Sequence, residues 1–293
     1  MKLLTFAKDG REALAVLKED GQSIVPLDEN GFCYQDMNQL IEQASQEELS
    51  RMSSLSKGGI GEVALGSVKL MAPIPHPRQD MICLGINYMA HAEESARYKK
   101  EAFGGDRTYP VYFSKRVGRA SADQEPIPAY ADLISTLDYE AELAVVIGKA
   151  AKNVSKEDAY AYVFGYTIIN DVTARELQTR HKQWYFGKSL DGFTPMGPVI
   201  LTADEVAVPP VFQVRSFVNG EKRQDSSTSL LIHDIAYVIS ELSQGMTLLP
   251  GTMIATGTPA GVGMGFDPPK FLHAGDEVVC EIEGIGRITN RVE

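Results

Sequence analysis

The chain has 293 residues, is 44% hydrophobic and 23% charged, and carries a net charge of −11. That composition fits a globular protein with room for one large domain, or a small one and a large one, and the charge argues against the basic face that nucleic-acid binding needs. The 3 cysteines, Cys33, Cys83 and Cys280, are odd in number and show no CxxC spacing, which disfavours a disulfide framework and a thiolate zinc site.

Unpaired thiols suit a reducing cytoplasm. The opening MKLLTFAKDGRE has too short an apolar run for a signal peptide. No stretch approaches the roughly 20 apolar residues of a membrane helix. A cytoplasmic protein that does not span a membrane is therefore expected. In the first 30 residues short apolar runs are broken by Asp9-Gly10 and Asp20-Gly21, pairs that favour hairpin turns. A polar helix is predicted over Tyr34 to Met52, then a strand in VALGSVKLMAPIP. The prolines of PIPHPRQ mark a linker. The expected division is a small amino-terminal α+β domain, residues 1–70, and a main domain, residues 71–293.

MICLGINY reads as a strand entering a loop, His91 to Ala102 as a helix broken at Gly104-Gly105, and VYFSK as a strand. Ser155 and Asp158 have the spacing of a capping box, and so do Thr173 and Glu176 after the strand GYTIIND. LLIHDIAYVISELSQG has apolar residues at helical spacing and closes at Gly245. The glycine-rich remainder reads as strands and turns. Many strands with few helices predict a β-rich α+β fold.

Familiar catalytic signatures are absent: no GxSxG, no HExxH, and no complete phosphate loop ahead of Gly187-Lys188-Ser189. What remains is acidic. In LDYEAELAVVIG, Glu140 and Glu142 are two apart at the mouth of an apolar strand and share one side of it. Asp171 ends the strand GYTIIND. Three carboxylates at strand ends suit a hard cation, magnesium or manganese. The same spacing also fits the solvent face of a half-exposed strand and a helix cap. His91 and Glu94 have the i, i+3 spacing of an oriented imidazole base, and equally of a surface ion pair. Arg175, Gln178 and Lys188 add cationic and amide groups, or solvated surface charge. In ATGTPAGVG, Thr258 and the glycine amides form either a carboxylate cradle or a plain turn.

Taken in order, GINYMAHAEE, LDYEAELAVVIGK, FGYTIINDVTARELQ, GKSLDGFTPMGP and MTLLPGTMIATGTPAGVG resemble the fumarylacetoacetate hydrolase family over about Met71 to Arg291. RHKQWYFGKSLD is similar to the bacterial branch of acylpyruvases and oxaloacetate decarboxylases. The resemblance implies a mixed β-roll and a homodimer. It implies metal ligation by Glu140, Glu142 and Asp171, with Mg2+ or Mn2+ as the ion, and a catalytic dyad of His91 and Glu94. Lys188 joins the catalytic groups, and Arg175, Gln178 and Thr258 become substrate contacts. The larger animal members add a fourth acidic ligand upstream of the histidine. Ile82 to Tyr88 holds no carboxylate, so a three-carboxylate site is implied. The implied substrate is a small 2-oxo acid. Hydrolysis of a 3-acylpyruvate ranks first, because a general base is present. Oxaloacetate decarboxylation and dienoate isomerisation are the alternatives at the same site, and a metal-stabilised domain that binds a small acid without turning it over is the non-enzymatic one.

Overall fold

A computed structural model describes residues 1–100, 102, 105 and 108–293. Its centre is a mixed eleven-stranded sheet. From one edge the order is Val63–Ala64, Ser23–Pro26, Arg11–Leu17, Lys2–Lys8, Met196–Thr202, Val163–Asn170, Ala141–Ile147, Met253–Ala255, Met81–Gly85 and Val111–Lys115. Lys69–Leu70 pairs beside Lys2–Lys8. The pairing of Met253–Ala255 with Met81–Gly85 is parallel and its neighbours are antiparallel. A second, four-stranded antiparallel sheet runs Glu221–Ser227, Gln213–Val218, Glu277–Ile282, Gly286–Arg291. This is the β-rich α+β architecture expected.

The strand Ala141–Ile147 lies near the middle of the large sheet and is buried along its whole length. Alternation sends its side chains into two cores. Leu143, Val145 and Ile147 pack with Val214, Cys280 and Ile288 of the second sheet, while Ala144 and Val146 pack with Leu3, Val16, Leu40 and Met52. A strand covered on both faces needs an unbroken apolar run, which is why LAVVI carries no charge.

Asp9-Gly10 forms the expected two-residue hairpin loop, with φ of 50° and 76°. Several local expectations are corrected. The Tyr34–Met52 helix is two helices, Met37–Gln43 and Gln46–Ser54. Ser45 caps the second through a capping box with Glu48, and this side chain-to-backbone bond competes with helix continuation. VALGSVKLMAPIP yields two strands of two residues separated by the 3-10 turn Leu65–Ser67. Ser155 and Asp158 do bond each other, but the turn leads only to the 3-10 helix Ala159–Tyr162. Thr173 spends its hydroxyl on the Asp171 carbonyl, and Glu176 accepts from Ser135, so no capping box forms there. The His91–Ala102 helix spans Met89–Lys99. Gly104, half of the expected break, lies outside the described residues.

Three segments near the site are tied by one buried amide. Asn87 Nδ2 donates to the His233 and Thr256 carbonyls at 3.0 and 2.9 Å, and Oδ1 accepts the His233 N–H at 2.9 Å. Removing it strands three buried backbone groups, each costly when unpaired. Asn87→Ala is expected to lose about 2–4 kcal/mol of unfolding free energy, measured by urea denaturation; a loss below about 1 kcal/mol contradicts this role.

Candidate active site

Glu140 immediately precedes the Ala141–Ile147 strand and Asp171 immediately follows Val163–Asn170. The two strands are antiparallel, with Asn170 opposite Ala141 and Ile169 opposite Glu142. The start of one therefore lies beside the end of the other, and the Asp171 N–H donates to the Glu140 carbonyl at 2.8 Å. One carboxylate oxygen from each of Glu140, Glu142 and Asp171 lies within 4.8 Å of the others. They are 4%, 2% and 0% exposed, which removes the reading as a solvent-facing strand.

Buried like charges need compensation. The Lys188 ammonium donates to Glu140 Oε2 at 2.7 Å and to Asp171 Oδ2 at 2.6 Å. Lys115, wholly buried, donates to Asp171 Oδ1 at 2.7 Å and to the Lys188 carbonyl at 2.5 Å. Arg175 spans two acids, Nε to Asp138 Oδ2 at 2.8 Å and Nη1 to Glu140 Oε1 at 2.6 Å, and also reaches Gln178 Oε1 at 3.3 Å. Its Nη2 is buried and has no hydrogen-bond partner among the described residues. Burial pushes the Glu140 carboxyl up, but Lys188, Arg175 and His91 outweigh it and hold it at about 2. Burial pulls the Lys188 ammonium down, and Asp171 and Glu140 more than reverse this, so it stays charged. Glu142 has less help. Lys188 pulls its pKa down, and among the described residues its carboxylate accepts the Gly257 N–H alone, at 2.8 Å. Burial, Asp171 and Glu140 together push its pKa well above the ordinary carboxylate range.

His91 and Glu94, on the Met89–Lys99 helix, are both buried, with Nδ1 3.0 Å from Glu94 Oε2. The Gly261 N–H fixes the other Glu94 oxygen at 3.0 Å. A carboxylate accepts here, so Nδ1 carries a proton and Nε2 is the nitrogen left to exchange one. His91, Glu140, Arg175, Gln178, Lys188 and Thr258 line one pocket. Every expected site residue except Glu94, Glu142 and Asp171 thus faces one space, and those three bond or adjoin residues that do. The turn ATGTPAGVG does supply amides to carboxylates, but to the protein's own: Gly257 to Glu142, Gly261 to Glu94 and Gly263 to Asp138. The Thr258 hydroxyl donates to the Ala141 carbonyl at 3.0 Å and accepts from Gln224 at 2.7 Å. Its proton is thereby committed within the wall of the pocket.

Three groups of this network escape a reading of the sequence. Asp138 continues the two-residue period of Glu140 and Glu142 backwards, and that period was the available signal. Lys115 closes the short strand VYFSK and carries no local mark of burial. Gln224 comes from the second sheet, where it bonds the Ala141 N–H, Thr258 and the Pro259 carbonyl.

The residues suit a divalent cation. The donor set is all carboxylate oxygen, as magnesium and manganese require. Asp138, Glu140 and Asp171 pair with three cations, Lys115, Arg175 and Lys188, and Glu142 stands beside them as a fourth acid. One negative charge is in excess when all four acids are ionised, and Glu142 carries the least compensation.

A two-sheet β scaffold with an acidic triad beside a buried His-Glu pair defines a class of enzyme. Residues 80–293 match the family of the fumarylacetoacetate (FAA) hydrolase C-terminal domain, and the chain belongs to that family. Over 229 residues it is 48% identical to the oxaloacetate tautomerase YisK of Bacillus subtilis (strain 168), covering 78% of this chain and 74% of that one. The fumarylacetoacetate hydrolase of the psychrophilic Exiguobacterium antarcticum superposes with a TM-score of 0.84 at 39% identity, over 100% of this chain and 99% of that one. A maleylpyruvate hydrolase from Sphingobium sp. SYK-6, solved with manganese (II) and pyruvate, superposes with a TM-score of 0.79 at 30% identity, over 100% and 98%.

The raised Glu142 pKa sets a pH dependence. The metal-free folded chain keeps a proton that the unfolded chain releases near the ordinary value of about 4.3. Its contribution to stability therefore falls as pH rises from that value through the raised one. Metal-free Glu142→Gln is expected to gain thermal stability over the parent as pH rises from about 4 to 8, and added Mn2+ should raise the melting temperature of the parent more than that of the variant. Parallel pH profiles, or equal metal shifts, contradict the assignment of Glu142 as the uncompensated carboxylate.

Proposed function

We propose that this protein enolises a short 2-oxo diacid of the oxaloacetate type, interconverting its keto and enol forms by proton transfer at His91. The observation that carries the reading is the His91–Glu94 pair opening on the same pocket as Glu140, Arg175 and Lys188. The 48% identity to an oxaloacetate tautomerase supports this reaction over the acylpyruvate hydrolysis ranked first from the sequence.

A divalent cation held by Glu140, Glu142 and Asp171 would supply positive charge against which an enolate is stabilised. The other steps belong to side chains. His91 Nε2 accepts the proton from the carbon beside the oxo group. Glu94 stabilises the imidazolium and keeps the ring in place. The same nitrogen then delivers the proton to oxygen or back to carbon, which makes the reaction reversible. Lys188, held charged by its two acids, offsets negative charge that develops on the oxo oxygen. Arg175 Nη2, the donor without a partner, is suited to a substrate carboxylate. Gln178 steadies the guanidinium by accepting from Nη1, the nitrogen that also meets Glu140.

Hydrolysis of an acylpyruvate is the second reading. It is favoured by the same dyad, which can take its proton from water, and by the likeness to a maleylpyruvate hydrolase. Loss of carbon dioxide from oxaloacetate needs no base at all.

Decarboxylation therefore responds differently from the two base-dependent reactions to one substitution. With Mg2+ present, the chain is expected to speed keto–enol interconversion of oxaloacetate, followed by the ultraviolet absorbance of the enol. His91→Ala should lower kcat for that reaction by about 10²–10⁴-fold. Any pyruvate released from oxaloacetate should fall far less. Equal losses in both reactions, or no acceleration by the parent, would falsify the proposal.

A further inference from the structure

Trp184 is the only tryptophan of the chain and stands just before the Tyr185–Lys188 helix. It lines the pocket together with Gly85, Phe113 and Lys188. Its ring rests on Gly85, where a Cβ would lie 2.0 Å from Cζ3 and 2.5 Å from Cη2. The Phe113 ring meets it edge-on, with centroids 5.1 Å apart and an interplanar angle of 67°. On its other side Phe113 is 5.3 Å from the Lys188 ammonium, which is bonded to Glu140 and Asp171. A row thus leads out from the acidic cluster: ammonium, phenyl, indole. The Lys99 ammonium, from the last turn of the helix that carries His91 and Glu94, lies 6.0 Å over the indole.

The two ends of this row have opposite chemistry. The inner end holds the charges that a carboxylate and an oxo group require. The outer end presents aromatic faces, with the Lys99 ammonium above the indole. Trp184 cannot move back toward Gly85, because the absent Gly85 side chain is the space it already fills. Lys99 and Phe113 hold it from two other directions.

We infer that Trp184 sets the length of the substrate: it closes the pocket behind a short 2-oxo diacid and excludes longer chains, with Gly85 as its seat. The inference rests on the proposed reading of the pocket as a 2-oxo acid site and adds the residue that selects chain length within that class. Excluding even one methylene in a tight site amounts to roughly 10-fold or more in discrimination.

The test measures binding, not turnover. The Mg2+-loaded full chain is titrated with oxalate, 2-oxoglutarate and 2-oxoadipate by calorimetry. In the parent, oxalate should also perturb the fluorescence of Trp184. The ratio of the 2-oxoadipate Kd to the oxalate Kd should be at least about 10 in the parent and should fall by about 10-fold in Trp184→Ala. Trp184→Phe, which keeps an aromatic ring, should lie between them. Gly85→Ala, whose methyl drives the indole off its seat, should raise the ratio. An unchanged ratio in Trp184→Ala and Gly85→Ala overturns the length assignment while leaving the enolisation proposal standing. If none of the three acids binds the parent, the 2-oxo acid reading fails and this inference with it.

Discussion

A single ammonium group joins two of the three carboxylates on which this site depends. Lys188 reaches Glu140 and Asp171 at once, and Lys115 braces it by holding both Asp171 and the Lys188 carbonyl. Without these lysines the acids would repel one another in an interior where charge is poorly screened. With them the cluster is nearly neutral but still short of positive charge. Buried ion networks of this kind add little to stability, and removal of one partner is expensive because another charge is left unpaired. The arrangement is better understood as a means of fixing oxygen atoms than as a source of folding energy.

The architecture follows from that need. Carboxylates stay close only on a frame that does not yield, and the frame is the middle of an eleven-stranded sheet packed on both faces. The turns that close the site approach it at atomic contact. A side chain on Gly265 would place its Cβ 1.6 Å from Glu94 Oε1, and one on Gly257, at φ 96°, would come within 2.9 Å of the Asn87 Cβ. Glycine lets the Gly257 amide reach Glu142, and at position 265 it leaves room for the Glu94 carboxylate against the backbone. The dyad is carried differently, on the first two turns of the Met89–Lys99 helix, outside the sheet. On the proposed reading, fixed charges on strands and a base on a separate helix suit proton transfer, which needs a rigid electrostatic field and one group that gives and takes a proton.

The sequence disclosed the parts of this that repeat with a short period. LAVVI is apolar because both faces are covered, and Glu140 and Glu142 keep the two-residue spacing of a strand. His91 and Glu94 keep the spacing of a helix, and their bond is the one that spacing anticipates. Spacing was silent where a residue acts across the fold. Lys115, at the end of a five-residue strand, looks like any surface lysine until the sheet brings it 56 residues along the chain to Asp171. Thr258 offered a donor in the sequence, and the fold directs that donor to Ala141. Local bonds also displaced longer elements, as at Ser45, whose capping bond starts a second helix where one was expected.

The central claim is that Glu140, Glu142 and Asp171 hold one divalent cation between them. Anomalous scattering from a crystal grown with Mn2+ tests it most directly. The account predicts a single strong peak bonded to an oxygen of each of the three carboxylates, with Lys188 still in contact with the cluster. A peak elsewhere, or none while Lys188 alone bridges the acids, would contradict it.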